Sequence, residues 1–194
     1  MNQDIKKYFN EVRNCDKCKE EMRVRHPQPG ILNKDSKYLF IFQNPAEPNP
    51  EKSPEDKILM TKDTNDGDFD CVYRSGYLKW HPYNRFIKLL IGNSMNFSIL
   101  NICRCPTKNN QTPTCEMIEA CHDFLIKGIE YVNPKIIICQ GSVAATEIKA
   151  LDLDKKYNVI FSKHYAYLAR QSKEVFDNAI MKIKNKMDII EENL

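Results

Sequence analysis

The chain has 194 residues, 42% of them hydrophobic, which is enough to bury one substantial core and too few for a second full domain. Its 29 Lys and Arg against 26 Asp and Glu leave a net charge of +3, so no global field draws it to a polyanion and any such contact must be local. The polar stretch Met1 to Val12 lacks a signal-peptide core, and no apolar run approaches the roughly 18 residues of a membrane span, so an intracellular protein with no membrane contact is expected. In that setting the eight cysteines read as metal ligands or buried thiols rather than disulfides.

Cys15 and Cys18 form a C-x-x-C pair just after a first helix. Lys37 to Gln43 (KYLFIFQ) is apolar and aromatic, as a buried strand requires. Residues 45–75, dense in Pro, Asp, Asn and Lys, read as a long loop, and Pro82 to Ile91 as a helix. A second strand is expected over Ser98 to Cys103 (SILNIC). Met117, Ile118, Cys121, Phe124, Leu125, Ile129 and Val132 then recur at helical spacing within Thr114 to Val132, which Asn133-Pro134 closes. Lys135 to Gln140 (KIIICQ) is a third strand, Gly141-Ser142 opens a short helix to about Ala150, and Tyr157 to Phe161 supplies a fourth strand. Residues 173–194 form a charged amphipathic terminal helix.

This alternation predicts an α/β fold: a three-layer α/β/α sandwich around a central, mainly parallel four-stranded sheet, one domain over residues 1–194. A ligand site is then expected at the carboxyl ends of the strands, in the loops after Gln43, Asn101 and Phe161.

Cys105 and Cys121, with fifteen residues between them, form a second pair beside Cys15 and Cys18, and four thiolates in two pairs suit either zinc or an iron–sulfur cluster. Cys103 lies in the strand pattern as a small buried thiol. Cys71, Cys115 and Cys139 have no partner at useful spacing and read as structural.

The stretch Asn101 to Leu125, NICRCPTKNNQTPTCEMIEACHDFL, resembles the family 4 pattern of the uracil-DNA glycosylase superfamily, with Asn101, Cys105, Asn110, Pro113, Ile118, Ala120, Cys121 and Leu125 in register. The resemblance implies a parallel α/β sandwich and a 4Fe-4S cluster held by Cys15, Cys18, Cys105 and Cys121. Ile41 to Glu47 (IFQNPAE) resembles the superfamily's first motif, which places Asn44 where the attacking water is positioned and Gln43 beside the base. This sequence departs from the acidic residue common there, and an Asn orients water without taking its proton. Asn101 falls where the superfamily reads the flipped pyrimidine at its O4 and N3 edge.

Ser162 to Arg170 (SKHYAYLAR) resembles the H-P-S-x-L-x-R segment, which implies that His164 contacts the pyrimidine O2, Leu168 acts as a wedge, and Lys163, Arg170 and Lys173 lie near phosphates. Tyr165-Ala166 replaces the usual Pro-Ser. Ala46 occupies the position that abuts the pyrimidine C5, and its small side chain leaves room for 5-substituted bases. Tyr77 or Trp80 takes the place of the aromatic platform on which the base stacks. The expected function is a DNA glycosylase, acting as a monomer on uracil or a modified pyrimidine in DNA. Its rivals are a glycosylase specific for bulky 5-substituted bases of foreign DNA and a non-catalytic iron–sulfur DNA-binding module.

Overall fold

The structure, a computed structural model, describes residues 3–18, 27–45, 82–94 and 96–194. Ala46, Cys71, Tyr77, Trp80 and all but Pro45 of the expected 45–75 loop lie outside the described residues.

In chain order the elements are α1 (Gln3–Arg13), β1 (Tyr38–Phe42), α2 (Pro82–Ile91), β2 (Phe97–Asn101) and a 3-10 turn (Lys108–Asn110). Then come α3 (Cys115–Glu119), α4 (His122–Val132), β3 (Ile136–Gln140), α5 (Ser142–Ala150), α6 (Leu153–Lys156), β4 (Val159–Ser162), α7 (Tyr165–Leu168) and α8 (Lys173–Glu192). The four strands pair in the order β2-β1-β3-β4, every pair parallel.

Strand periodicity splits the core into two slabs, because successive side chains point to opposite faces. Leu39 and Ile41 of β1, Leu100 of β2, and Ile137 and Cys139 of β3 pack with Ile5, Phe9 and Val12 of α1, Leu125 and Ile129 of α4 and Ile148 of α5. The alternate residues Phe40 and Phe42, Phe97 and Ile99, Ile136 and Ile138, and Ile160 pack against Phe86 and Leu90 of α2 and Ile180, Ile183 and Met187 of α8. Helices thus cover both faces, and the expected three-layer sandwich is what the chain forms. Strands buried on both sides read as continuous apolar runs, which is why β1 and β3 are so strongly hydrophobic.

Several boundaries differ from the sequence reading. The single helix expected over Thr114 to Val132 is two helices, α3 and α4, broken at Ala120 and Cys121. Thr114 caps the first by accepting from the Met117 amide at 3.3 Å. The second strand ends at Asn101, yet the amides of Ile102 and Cys103 still donate to Phe42 O and Gln43 O at 2.8 and 2.9 Å, so the chain stays pinned beside β1 for two further residues. The short helices α6 and α7 have no periodic signal long enough to be seen in sequence.

The connection β1–α2–β2 packs its helix on one face and β2–α4–β3 on the other, so the chain reverses its direction across the sheet between β1 and β3. In open α/β sheets ligands bind beyond the carboxyl ends of the strands at such a switch point, here that of β1 and β3.

Candidate active site and thiol pocket

The residues at that edge share one face of the sheet. Phe42 is in register with Asn101, and Gln140 with Ser162, so the alternation that sends Phe40, Ile99, Ile138 and Ile160 into one slab carries Phe42, Asn101, Gln140 and Ser162 to the same side. Apolar core thus gives way to carboxamides and a hydroxyl within a single layer. Gln140 is buried and its Nε2 donates to Ser162 Oγ.

His164 comes two residues beyond β4 and serves as the N-cap of α7: its Nδ1 accepts from the Ala166 amide at 3.2 Å. An imidazole that accepts at Nδ1 is neutral and carries its proton on Nε2, so the cap assigns the tautomer and leaves an N–H donor on the outer nitrogen. Burial, reinforced by the Arg170 charge, pulls the His164 pKa below its ordinary value, in keeping with the neutral form. The ring lies 6.0 Å from the Phe42 ring, edge to face, and 4.5 Å from that of Tyr165.

Gly141, immediately after β3, permits this placement. Its φ of +89° is a conformation that L side chains rarely adopt, and a Cβ there would sit 3.4 Å from His164 Cβ. Sequence reasoning treated Gly141 only as a helix opener; its positive φ and its contact with His164 emerge from the packing of β3 beside β4.

Asn44 is held by three contacts. Its Nδ2 donates to Pro45 O at 2.9 Å and to Thr107 Oγ1 at 3.2 Å, and its Oδ1 accepts from Gln43 Nε2 at 3.0 Å. Thr107 is buried and donates onward to Gln111 O at 2.5 Å, so the carboxamide is oriented by a side chain 63 residues away. Thr107 carried no signal in the sequence reading. Gln43, Asn44, Asn101 and His164 are thus all placed at the carboxyl edge of the sheet.

Of the residues expected to meet DNA, Lys163 and Arg170 are exposed beside this edge, and Lys163 Nζ lies 4.8 Å from the centre of the Tyr167 ring. Lys173 is engaged by Asp177 at 2.5 Å along α8. Leu168 corrects the sequence reading: it is 2% exposed and packs in the slab with Phe86 and Ile180, so it is not available as a wedge. One turn of helix can anchor itself only by burying an apolar residue, and on α7 that residue is Leu168, while Tyr167 stands 48% exposed.

A second constellation lies where β2 runs out. Cys103, Cys105, Met117 and Cys121 are buried together, Cys18 packs against them, and Cys15 packs on the adjoining core at the end of α1. Lys17 Nζ donates to Ala120 O at 3.4 Å, which ties the C-x-x-C segment to the corner between α3 and α4. All seven cysteines among the described residues are free thiols. Burial, then the proximity of Cys121, Cys18 and Cys15, pushes the Cys105 thiol well up. A hydrogen bond from Cys103, the Arg104 amide at 3.4 Å and the charges of Arg104 and Lys17 pull Cys121 down. The four cysteines paired from their spacing are therefore within electrostatic reach of one another. No three His, Cys, Asp or Glu side chains among the described residues stand close enough to hold a single metal ion. No helix among them is long and apolar enough to cross a membrane.

Comparison with known proteins agrees with this architecture. The family model "Uracil DNA glycosylase superfamily" matches residues 29–187. A protein of Archaeoglobus fulgidus named Type-4 uracil-DNA glycosylase is 40% identical over 140 residues, covering 70% of this chain and 58% of that protein. One of the same name from Thermotoga maritima is 44% identical over 136 residues, covering 69% and 59%. Another from Saccharolobus solfataricus is 30% identical over 133 residues, covering 68% and 53%. The chain thus spans rather more than half the length of the curated relatives it matches. With the superfamily model running from the segment before β1 into α8, this chain belongs to the uracil-DNA glycosylase superfamily.

Proposed function

We propose that this chain is a DNA glycosylase that hydrolyses the N-glycosidic bond of a flipped-out uracil or modified pyrimidine in DNA and leaves an abasic site. The observation that carries the reading is His164: its Nδ1 is occupied by the cap of α7, so a neutral imidazole keeps an Nε2–H donor at the carboxyl edge of the sheet. As the bond to the base lengthens, the sugar takes on oxocarbenium character and negative charge gathers on the base, chiefly at O2. A donor fixed before the reaction stabilises that charge without reorganising, and removing one such donor typically costs about 2.7–4 kcal/mol.

Asn44 holds the water. Both hydrogens of its amide are engaged by Pro45 O and Thr107 Oγ1, and Gln43 uses one lone pair of Oδ1, leaving the other to accept from a water. Asn cannot take the proton as a carboxylate would; the water adds to an already cationic sugar and releases its proton afterwards to solvent. Asn101 reads the pyrimidine edge with a group that both donates and accepts. Lys163 and Arg170 contact phosphates, and the exposed Tyr167 ring lies against the DNA beside them.

The thiol pocket fits a 4Fe-4S cluster held by Cys15, Cys18, Cys105 and Cys121. All four donors are sulfur, as such a cluster prefers; Cys18 packs against the buried Cys105 and Cys121, and Cys15 packs on the adjoining core. Bound there, the cluster ties the N-terminal segment to the body of the fold.

The test is excision. Oligonucleotides carrying uracil, hypoxanthine, thymine, 5-hydroxymethyluracil or glucosylated hydroxymethylcytosine are incubated with anaerobically purified protein, and abasic sites are scored by alkaline cleavage. Cleavage at uracil supports the reading as stated, cleavage confined to 5-substituted bases moves the substrate to the modified-base class, and binding without cleavage of any of them defeats the enzymatic reading.

A further inference from the structure

Arg104 follows the last residues pinned beside β1 and is 1% exposed, a large side chain sealed inside the fold. Its Nη2 donates to Phe124 O at 2.9 Å, while Nε and Nη1 have no hydrogen-bond partner among the described residues. Tyr8 Oη also donates to Phe124 O, at 3.2 Å, and no carboxylate among the described residues pairs with the guanidinium. Guanidinium does not shed its proton in proteins, so the charge stays, and a buried charge without a counter-ion is among the costliest arrangements a fold can hold. The helix in front of it makes room: a Cβ on Gly128 of α4 would meet Arg104 Nη2 at 3.3 Å and Tyr8 Oη at 3.2 Å. An anion is therefore owed to this site.

The nearby groups able to supply it are thiolates. The Arg104 amide donates to Cys121 Sγ at 3.4 Å, and Arg104 stands between Cys103 and Cys105 in the chain. We propose that Arg104 is the buried counter-charge of the thiol pocket, offsetting the net negative charge of a four-thiolate iron–sulfur group and raising its reduction potential. This rests on the cofactor reading above and assigns to Arg104 a positioning and electrostatic role rather than contact with substrate. The reduced cluster carries one more negative charge than the oxidised one, so loss of the cation must make the electron harder to add.

The experiment measures iron, sulfide and the one-electron potential of anaerobically purified full chain for wild type, Arg104→Met and Arg104→Lys, with circular dichroism to follow folding. Arg104→Met keeps bulk and removes charge; Arg104→Lys keeps charge and changes shape. The expected result is a cluster at least tenfold harder to reduce in Arg104→Met, a potential at least about 59 mV more negative, with Arg104→Lys shifted by less than half as much. Loss of iron from Arg104→Met while Arg104→Lys retains it supports the same assignment. A wild-type potential in Arg104→Met, or equal loss of iron or folding in both variants, overturns it, because shape rather than charge would then be what the pocket uses. Wild-type protein without iron and sulfide defeats the cofactor reading itself, before any variant is compared.

Discussion

His164 performs two jobs through two nitrogens, and they can be separated. Its Nδ1 caps α7 by accepting from the Ala166 amide, and its Nε2–H is the donor for the departing base. His164→Asn keeps a side-chain oxygen able to cap and removes the ring donor; His164→Ala removes both. Loss of an N-cap costs about 1 kcal/mol, which for a chain of this size lowers Tm by roughly 2–4 °C. Loss of the donor costs about 2.7–4 kcal/mol in the transition state, a fall of about 10²–10³ in rate. The structure thus predicts that His164→Asn melts within about a degree of wild type, that His164→Ala melts a few degrees lower, and that both lose excision by the same two to three orders of magnitude. Single-turnover excision from a uracil-containing oligonucleotide, at matched iron content, reads the chemistry without product release. His164→Asn excising within about threefold of wild type would refute the assignment of Nε2–H to the reacting base.

Because the folded His164 pKa is depressed below its ordinary 6.5, the imidazole stays neutral through that pH in the folded protein. Its contribution to stability is full above the ordinary value and is lost as pH falls towards the depressed one, so Tm should decline on the acid side of pH 6.5, as the Nδ1 cap acceptor is protonated, and not on the alkaline side. Thr107→Val removes the acceptor that orients the Asn44 amide; a neutral hydrogen bond is worth about 0.5–1.5 kcal/mol, so excision should slow about two- to tenfold with DNA affinity unchanged, and Thr107→Ser should restore it. Arg170→Ala should weaken DNA binding equally across sequences and reduce the slope of log affinity against log salt by about 1, measured by fluorescence anisotropy; an unchanged slope removes Arg170 from the phosphates.

Much of this architecture is visible in the chain itself. The largely apolar stretches at β1, β2 and β3, with helical periods between them, leave little choice but a parallel sheet with helices on both faces. The strand ends then point to Gln43, Asn44 and Asn101, and the paired spacing of Cys15, Cys18, Cys105 and Cys121 marks the thiol pocket. Such signals are local: each depends on residues a few positions apart, and each survives whatever the rest of the chain does.

The remainder depended on which distant segments meet. Strand order β2-β1-β3-β4, and with it the switch point between β1 and β3, is fixed only when each crossover helix takes its face of the sheet. The grip of Thr107 on Asn44 spans 63 residues, and the shared carbonyl of Phe124 draws Tyr8 across 116. Leu168 reads in sequence as a wedge, but the four-residue helix turns it into the core, with Tyr165 packing on the same slab. Arg104 reads as one basic residue among many, and only the packing of α4 against α1, with Gly128 leaving the space, encloses its charge. Burial and electrostatic environment are properties of the assembled layers, so no window of the sequence carries them.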